Sequence, residues 1–173
     1  MPARSADDVR IETYGGPRDS LRSLFELAED SAAELDSYIG AGRVLVAVSD
    51  GEVIGHLQLT GTDDARQAEI KNMAVLETRQ GQGVGRVLVQ AAVELATAEA
   101  VTTVVVATAA ADLGNLRFYQ RQGFRMRSIE RDAFTAVTGY PPGLCIDGIE
   151  LRDRVWLDRA VLASVHVVLV APE

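Results

Sequence analysis

The sequence contains one cysteine, Cys145, among 173 residues. A single thiol makes no internal disulfide and is too few for a structural zinc site, so a reducing cytoplasm is the expected compartment. Histidine is nearly as scarce. His56 and His166 stand apart, no Cys or carboxylate cluster offers metal spacing around either, and no metal is expected. Positive charge is in deficit, with 17 Lys and Arg against 25 Asp and Glu, a formal charge of −8. That balance gives no global attraction for nucleic acid or an anionic membrane surface, and leaves cationic small molecules as natural partners. Long hydrophobic runs are absent as well. The stretch from Met1 to Arg10 is charged and leads into no apolar run, so neither a signal peptide nor a membrane anchor is expected there. The longest apolar segment, Val161 to Val170, is interrupted by Ser164 and His166 and is too short for a bilayer span of roughly 20 residues.

What the chain does have is a globular balance, 47% apolar and 24% charged residues, enough to bury a real core. No repeat, low-complexity tract or linker divides it. Val9 to Tyr14 alternates as a short strand, and Leu21 to Ile39 has helical spacing that fits one long helix or two short ones. Val44 to Val48 and Val53 to Leu59 flank Asp50-Gly51, a dipeptide suited to a tight hairpin. Ala68 to Val75 reads as a strand, Val84 to Leu95 as an amphipathic helix, and Val104 to Val106 as a buried strand, which together predict a parallel βαβ unit with a right-handed crossover. A helix from about Leu113 to Gln122 stops at Gly123. Phe124 to Glu130 and Ile149 to Leu157 read as two late strands. The order predicts one mixed α/β domain over residues 1–158, followed by an apolar tail over 159–173.

The informative segment is Gln80-Gly81-Gln82-Gly83-Val84-Gly85-Arg86, at a junction from strand to helix. Glycines there let backbone N–H groups converge, and the helix N-terminus favours negative charge, so the segment suits a pyrophosphate. It is not an ATP-binding P-loop, because Gly85 is followed by Arg86-Val87 rather than by lysine and a hydroxyl. It is not the dinucleotide fingerprint either, because only Val84 separates Gly83 from Gly85.

The segment resembles the acyl-CoA loop of the GNAT N-acetyltransferases, whose pattern Gln/Arg-x-x-Gly-x-Gly/Ala is met by Gln80, Gly83 and Gly85. The resemblance extends upstream to Ala68 through Val75, similar to the family's fourth strand, and downstream to Asn115 through Tyr119 and Gly123-Phe124, similar to its final helix. It implies a twisted, mostly antiparallel sheet with helices on both faces. The fourth and fifth strands would splay apart to admit the pantetheine arm of acetyl-CoA, the co-substrate. By that resemblance Met73, Ala74 and Val75 pair with the arm, and the backbone of Gln80, Gly81, Gln82, Gly83, Val84, Gly85 and Arg86 holds the pyrophosphate.

Family position also suggests chemistry. Tyr119 matches the tyrosine that donates to the departing CoA sulfur, and Glu69 matches a fourth-strand carboxylate that several members use as general base. Many members carry asparagine seven residues before the tyrosine. This chain has Asp112 there, suited to capping the helix, and Asn115 is chosen as the pantetheine contact. The acceptor is an amine. A non-catalytic acyl-CoA sensor and a protein lysine or N-terminal acetyltransferase are the alternatives. The long loop from Ile129 to Ile149 is expected to shape the acceptor site, with Asp132 and Asp147 as candidate contacts. The strand-like tail would pack on the domain or pair with a second chain, a homodimer being the latter outcome.

Overall fold

A computed structural model describes residues 8–161. Four strands form an antiparallel meander: β1 (Arg10–Thr13), β2 (Arg43–Ser49), β3 (Glu52–Gly61) and β4 (Gln67–Val75). The β2–β3 turn is the one the dipeptide predicts, Asp50 and Gly51 both having positive φ, 53° and 82°. Between β1 and β2 the helical segment resolves into two short helices, α1 (Arg22–Phe25) and α2 (Ala32–Tyr38). They break because Ser31 turns extended and caps α2, its hydroxyl accepting from the Glu34 N–H at 3.3 Å.

After β4, helix α3 (Val84–Ala98) crosses to β5 (Thr103–Ala109), which pairs with β4 in parallel. The buried residues of α3 are Val84, Leu88, Val89, Ala92 and Ala96, a stripe at helical spacing that packs on one sheet face. Helix α4 (Leu113–Arg121) adds Leu116 and Tyr119 to the same core. On the opposite face Leu24, Phe25, Leu35 and Tyr38 of α1 and α2 cover Val44, Val46 and Val48 of β2. The sheet is thus enclosed between two helical layers.

The late strands differ from the sequence expectation. Ile149 to Leu157 is not one strand: it is broken at Leu151 to Asp153, and its first residues fold back across Asp147-Gly148, which adopts the same positive-φ pair as Asp50-Gly51, 49° and 80°. A separate small hairpin results, β7 (Cys145–Ile146) with β8 (Ile149–Glu150). The main strand β9 starts later, at Arg154–Ala160, and inserts between β5 and β6 (Arg125–Glu130), giving the order β1-β2-β3-β4-β5-β9-β6. β9 carries Arg159 and Ala160, and Val161 is buried in the core. The rest of the apolar tail, and with it the packing or pairing expected of it, lies outside the described residues. No helix among the described residues is long and apolar enough to cross a membrane.

Candidate active site

Parallel pairing of β4 with β5 stops early. It runs from Gln67 opposite Thr103 to Ile70 opposite Val106, although β4 continues to Val75 and β5 to Ala109. The cause lies on the other side of β4, where the register against β3 shifts between Asn72 and Ile70 and leaves Lys71 as the extra residue of a β-bulge. A bulge bends and twists its strand, here at the position where β5 is lost as a partner. The backbone from Lys71 to Val75, including Met73 and Ala74, therefore has no strand on its β5 side. A cavity of about 780 Å³ opens there. It runs from the glycine loop past β4 and β5 to the segment between α1 and α2, and to the loop before β9.

The glycine loop folds as its composition requires. Gly81 and Gly83 have φ of 73° and 84°, and Gly83 stands at the N-cap of α3. Among the described residues, the N–H groups from Gly81 through Arg86 donate to no backbone carbonyl. The loop is braced from outside. Gln80 Nε2 donates to the Val75 carbonyl at 3.1 Å, and Gln82 Nε2 to the Thr78 carbonyl at 3.1 Å. Gly85 faces the ring of Phe118 so closely that a Cβ would lie 3.2 Å from it, so this glycine lets α3 and α4 approach. Arg79 and Arg86 both line the cavity at this end. A run of converging donors at a helix N-terminus, flanked by two arginines, fits a pyrophosphate.

Tyr119 lines the cavity, 6% exposed, with its ring edge-on to Phe118 and Phe124. Burial, reinforced by the charge of Asp112, pushes its phenol above the ordinary tyrosine range, so it is protonated at neutral pH. Asp112 is the helix cap, its Oδ1 accepting from the Asn115 N–H at 2.8 Å. That leaves the Asn115 side chain exposed on the cavity wall. Glu69 also lines the cavity, with its side chain 16% exposed. It is paired: Lys71 Nζ lies 3.4 Å from its carboxylate and 5.1 Å above the Tyr38 ring. Asp132 and Asp147 do not line the cavity. Asp132 instead bonds Arg152 Nε at 3.0 Å on the exposed side of the loop.

The far wall is built by the long loop expected to shape the acceptor site, through Phe134, Tyr140 and Ile146. Leu151 after that loop, and Leu27 to Asp30 from the segment after α1, join it without having been singled out in the sequence. Behind them runs a buried polar chain. His56 Nε2 meets Asn72 Oδ1 at 2.8 Å, while Asn72 Nδ2 donates to the Phe25 carbonyl at 3.2 Å and to Tyr38 Oη at 3.0 Å. Because the amide nitrogen has two acceptors, its oxygen faces His56, and His56 must carry its proton on Nε2. Tyr38 in turn donates to Glu29 Oε2 at 3.3 Å.

His56 has no exposed surface, and burial lowers its pKa to about 4 from an ordinary value near 6.5. The unfolded chain therefore takes up a proton below about pH 6.5 that the fold refuses. This contribution to stability is present above pH 6.5 and is lost as pH falls toward 4, about 2 kcal/mol of it between pH 7 and pH 5. Urea unfolding at those two pH values should show the loss in the native chain and a smaller one in His56→Gln. Equal losses in both would remove His56 as the cause.

A family model described as "Acetyltransferase (GNAT) family" matches residues 13–124. Among curated proteins, the uncharacterized N-acetyltransferase YvbK of Bacillus subtilis (strain 168) is 33% identical over 152 residues, 87% of this chain and 96% of the relative. Among solved structures, an IAA acetyltransferase from Bacillus cereus ATCC 14579 is 34% identical with a TM-score of 0.79, over 88% of this chain and 99% of that one. A GNAT family acetyltransferase from Elizabethkingia anophelis with acetyl-CoA bound is 31% identical with a TM-score of 0.81, over 89% and 99% of the two chains. A Bacillus subtilis acetyltransferase in complex with CoA is 32% identical with the same TM-score, 0.81, and the same coverage, 89% and 99%.

Proposed function

The chain belongs to the GNAT acetyltransferase family, and from that premise we propose that it transfers the acetyl group of acetyl-CoA to the nitrogen of a small primary amine. The observation that carries the proposal is a single cavity that holds an unpaired strand edge, a loop of free N–H groups and a protonated tyrosine. The bound acetyl-CoA and CoA of two similar structures support the cofactor half of the reading. The pyrophosphate goes to the N–H groups from Gly81 to Arg86, with Arg79 and Arg86 beside it. The pantetheine arm goes to the open edge at Met73, Ala74 and Val75, with Asn115 across from it.

The amine nitrogen attacks the thioester carbonyl, the C–N bond forms, the C–S bond breaks, and the proton lost by nitrogen is matched by the one gained by sulfur. Tyr119 is the group that meets the sulfur. Its burial makes a phenolate costly, so its main contribution is a hydrogen bond to the charge that develops on sulfur as the bond breaks. Glu69 is assigned to the amine. An ammonium with a pKa near 10 is presented as free amine at pH 7 at a cost of roughly 4 kcal/mol, and a base in the site gives its proton a route out, directly or through water, as the nitrogen attacks. Lys71 keeps the carboxylate oriented.

A short hydrogen bond of 2.5 Å from Tyr140 Oη to Glu29 Oε1 ties the two loops together at the acceptor end. A tied end favours a small amine over an extended peptide. Cys145, an exposed free thiol, is consistent with a reducing cytoplasm as the place of action.

Thiol release from acetyl-CoA across a panel of amines tests the proposal, and binding of acetyl-CoA without release to any amine would leave a sensor instead. With an accepted amine, Glu69→Gln should lower kcat/KM about a hundredfold at pH 7, and the deficit should shrink to a few-fold as pH approaches the amine's pKa. A parallel pH profile for both enzymes would remove Glu69 as the base.

A further inference from the structure

Resting on the amine-acetylation reading, we infer that Glu29 forms a second cation subsite, so that the acceptor is a diamine or polyamine whose non-reacting ammonium sits on this carboxylate. Glu29 accepts from every group it touches: Tyr140 Oη at 2.5 Å and the Ser31 N–H at 3.0 Å on Oε1, and Tyr38 Oη at 3.3 Å on Oε2. Each partner can donate. The direction at Tyr38 is set from the sheet interior, since its oxygen already receives the Asn72 amide. The carboxylate thus accepts from both ends of α2, Ser31 and Tyr38, and from Tyr140 of the loop before β9, and one of its roughly four lone-pair sites, on Oε2, is left over.

No cation answers this charge among the described residues. Lys71 is taken by Glu69, and Arg154 by Glu130 at 3.2 Å and by the Phe134 ring at 5.1 Å. Half-buried and facing the cavity, the carboxylate stands beside the buried Tyr140, whose ring meets Phe134 edge to face at 5.0 Å. The reacting nitrogen is a poor occupant. It must shed its proton to attack, whereas an anion fixed by three donors stabilises the ammonium form. A second, non-reacting ammonium suits the place, and it leaves Glu69 to the reacting one. The sequence-level candidates for cation contact, Asp132 and Asp147, lie away from the cavity, and Glu29 takes the role expected of them.

The test compares α,ω-diamines with amino alcohols of matched length, which keep the chain and the reacting amine and replace the second ammonium by a hydroxyl. The native enzyme should favour the best diamine over its amino alcohol by at least about tenfold in kcat/KM, mostly through KM. Glu29→Gln should bring that ratio close to unity, and Tyr140→Phe, which removes one donor, should lower it part of the way. Equal kcat/KM for the two acceptor types in the native enzyme overturns the inference with no variant needed, so a Gln variant that fails to fold does not shield it. A diamine preference that survives in folded Glu29→Gln overturns it too. In both cases transfer to the amino alcohol leaves the parent reading standing, whereas thiol release with none of the panel amines sinks both.

Discussion

Gly83→Val should raise the dissociation constant for acetyl-CoA by about a hundredfold or more in a calorimetric titration. Gly83 sits at φ 84°, at the N-cap of α3, in the middle of the stretch whose N–H groups are free. A residue with a side chain pays about 1–2 kcal/mol or more to hold that conformation, and a β-branched one is among the worst suited. The loop then relaxes away from positive φ and turns its neighbours' N–H groups out of convergence, which is the larger effect because the pyrophosphate depends on several donors together. The core below, with Val84 and Leu88 buried, is untouched, so the melting temperature should fall only by a few degrees. Gly83→Ala should lie between native and valine. Unchanged affinity in the valine variant would take the pyrophosphate off this loop.

Tyr119→Phe should lower kcat by about a hundredfold with little change in acetyl-CoA affinity. The ring packs against Phe118 and Phe124, and phenylalanine keeps both contacts. Only the hydroxyl is lost, and among the described residues it makes no hydrogen bond that the fold would miss. The loss should therefore appear in the chemical step and not in stability. Because the phenol of Tyr119 is pushed above its ordinary range by burial, the native kcat should show no alkaline decline from its ionisation near pH 10. Full turnover by Tyr119→Phe would remove the residue from the reaction.

The parts of this site legible in the sequence are those set by local rules. Asp50-Gly51 specifies its own turn, the glycines at 81 and 83 mark positive φ, and Asp112 stands three residues before the N–H it caps. The βαβ unit follows from a short apolar strand after an amphipathic helix. What escaped depends on distant partners. Insertion of β9 between β5 and β6 is decided by sheet closure, and the late start of that strand by the pairing of Ile149 and Glu150 with Cys145 and Ile146 instead. The Lys71 bulge that opens β4 from β5 shows only in the register against β3. Glu29 and Tyr140 are 111 residues apart, and no spacing rule joins them. The ion pair of Glu69 and Lys71, two apart on one strand, is by contrast within reach of strand periodicity.

The proposed chemistry depends on one arrangement, a CoA thioester lying in the gap between β4 and β5 with its sulfur at Tyr119. A crystal structure of the chain with CoA tests it most directly. The pyrophosphate should sit on the N–H groups from Gly81 to Arg86, the pantetheine should run along Met73 to Val75, and the sulfur should lie within about 3.5 Å of Tyr119 Oη. CoA bound outside the gap, or with its sulfur pointing away from Tyr119 toward solvent, would contradict the account.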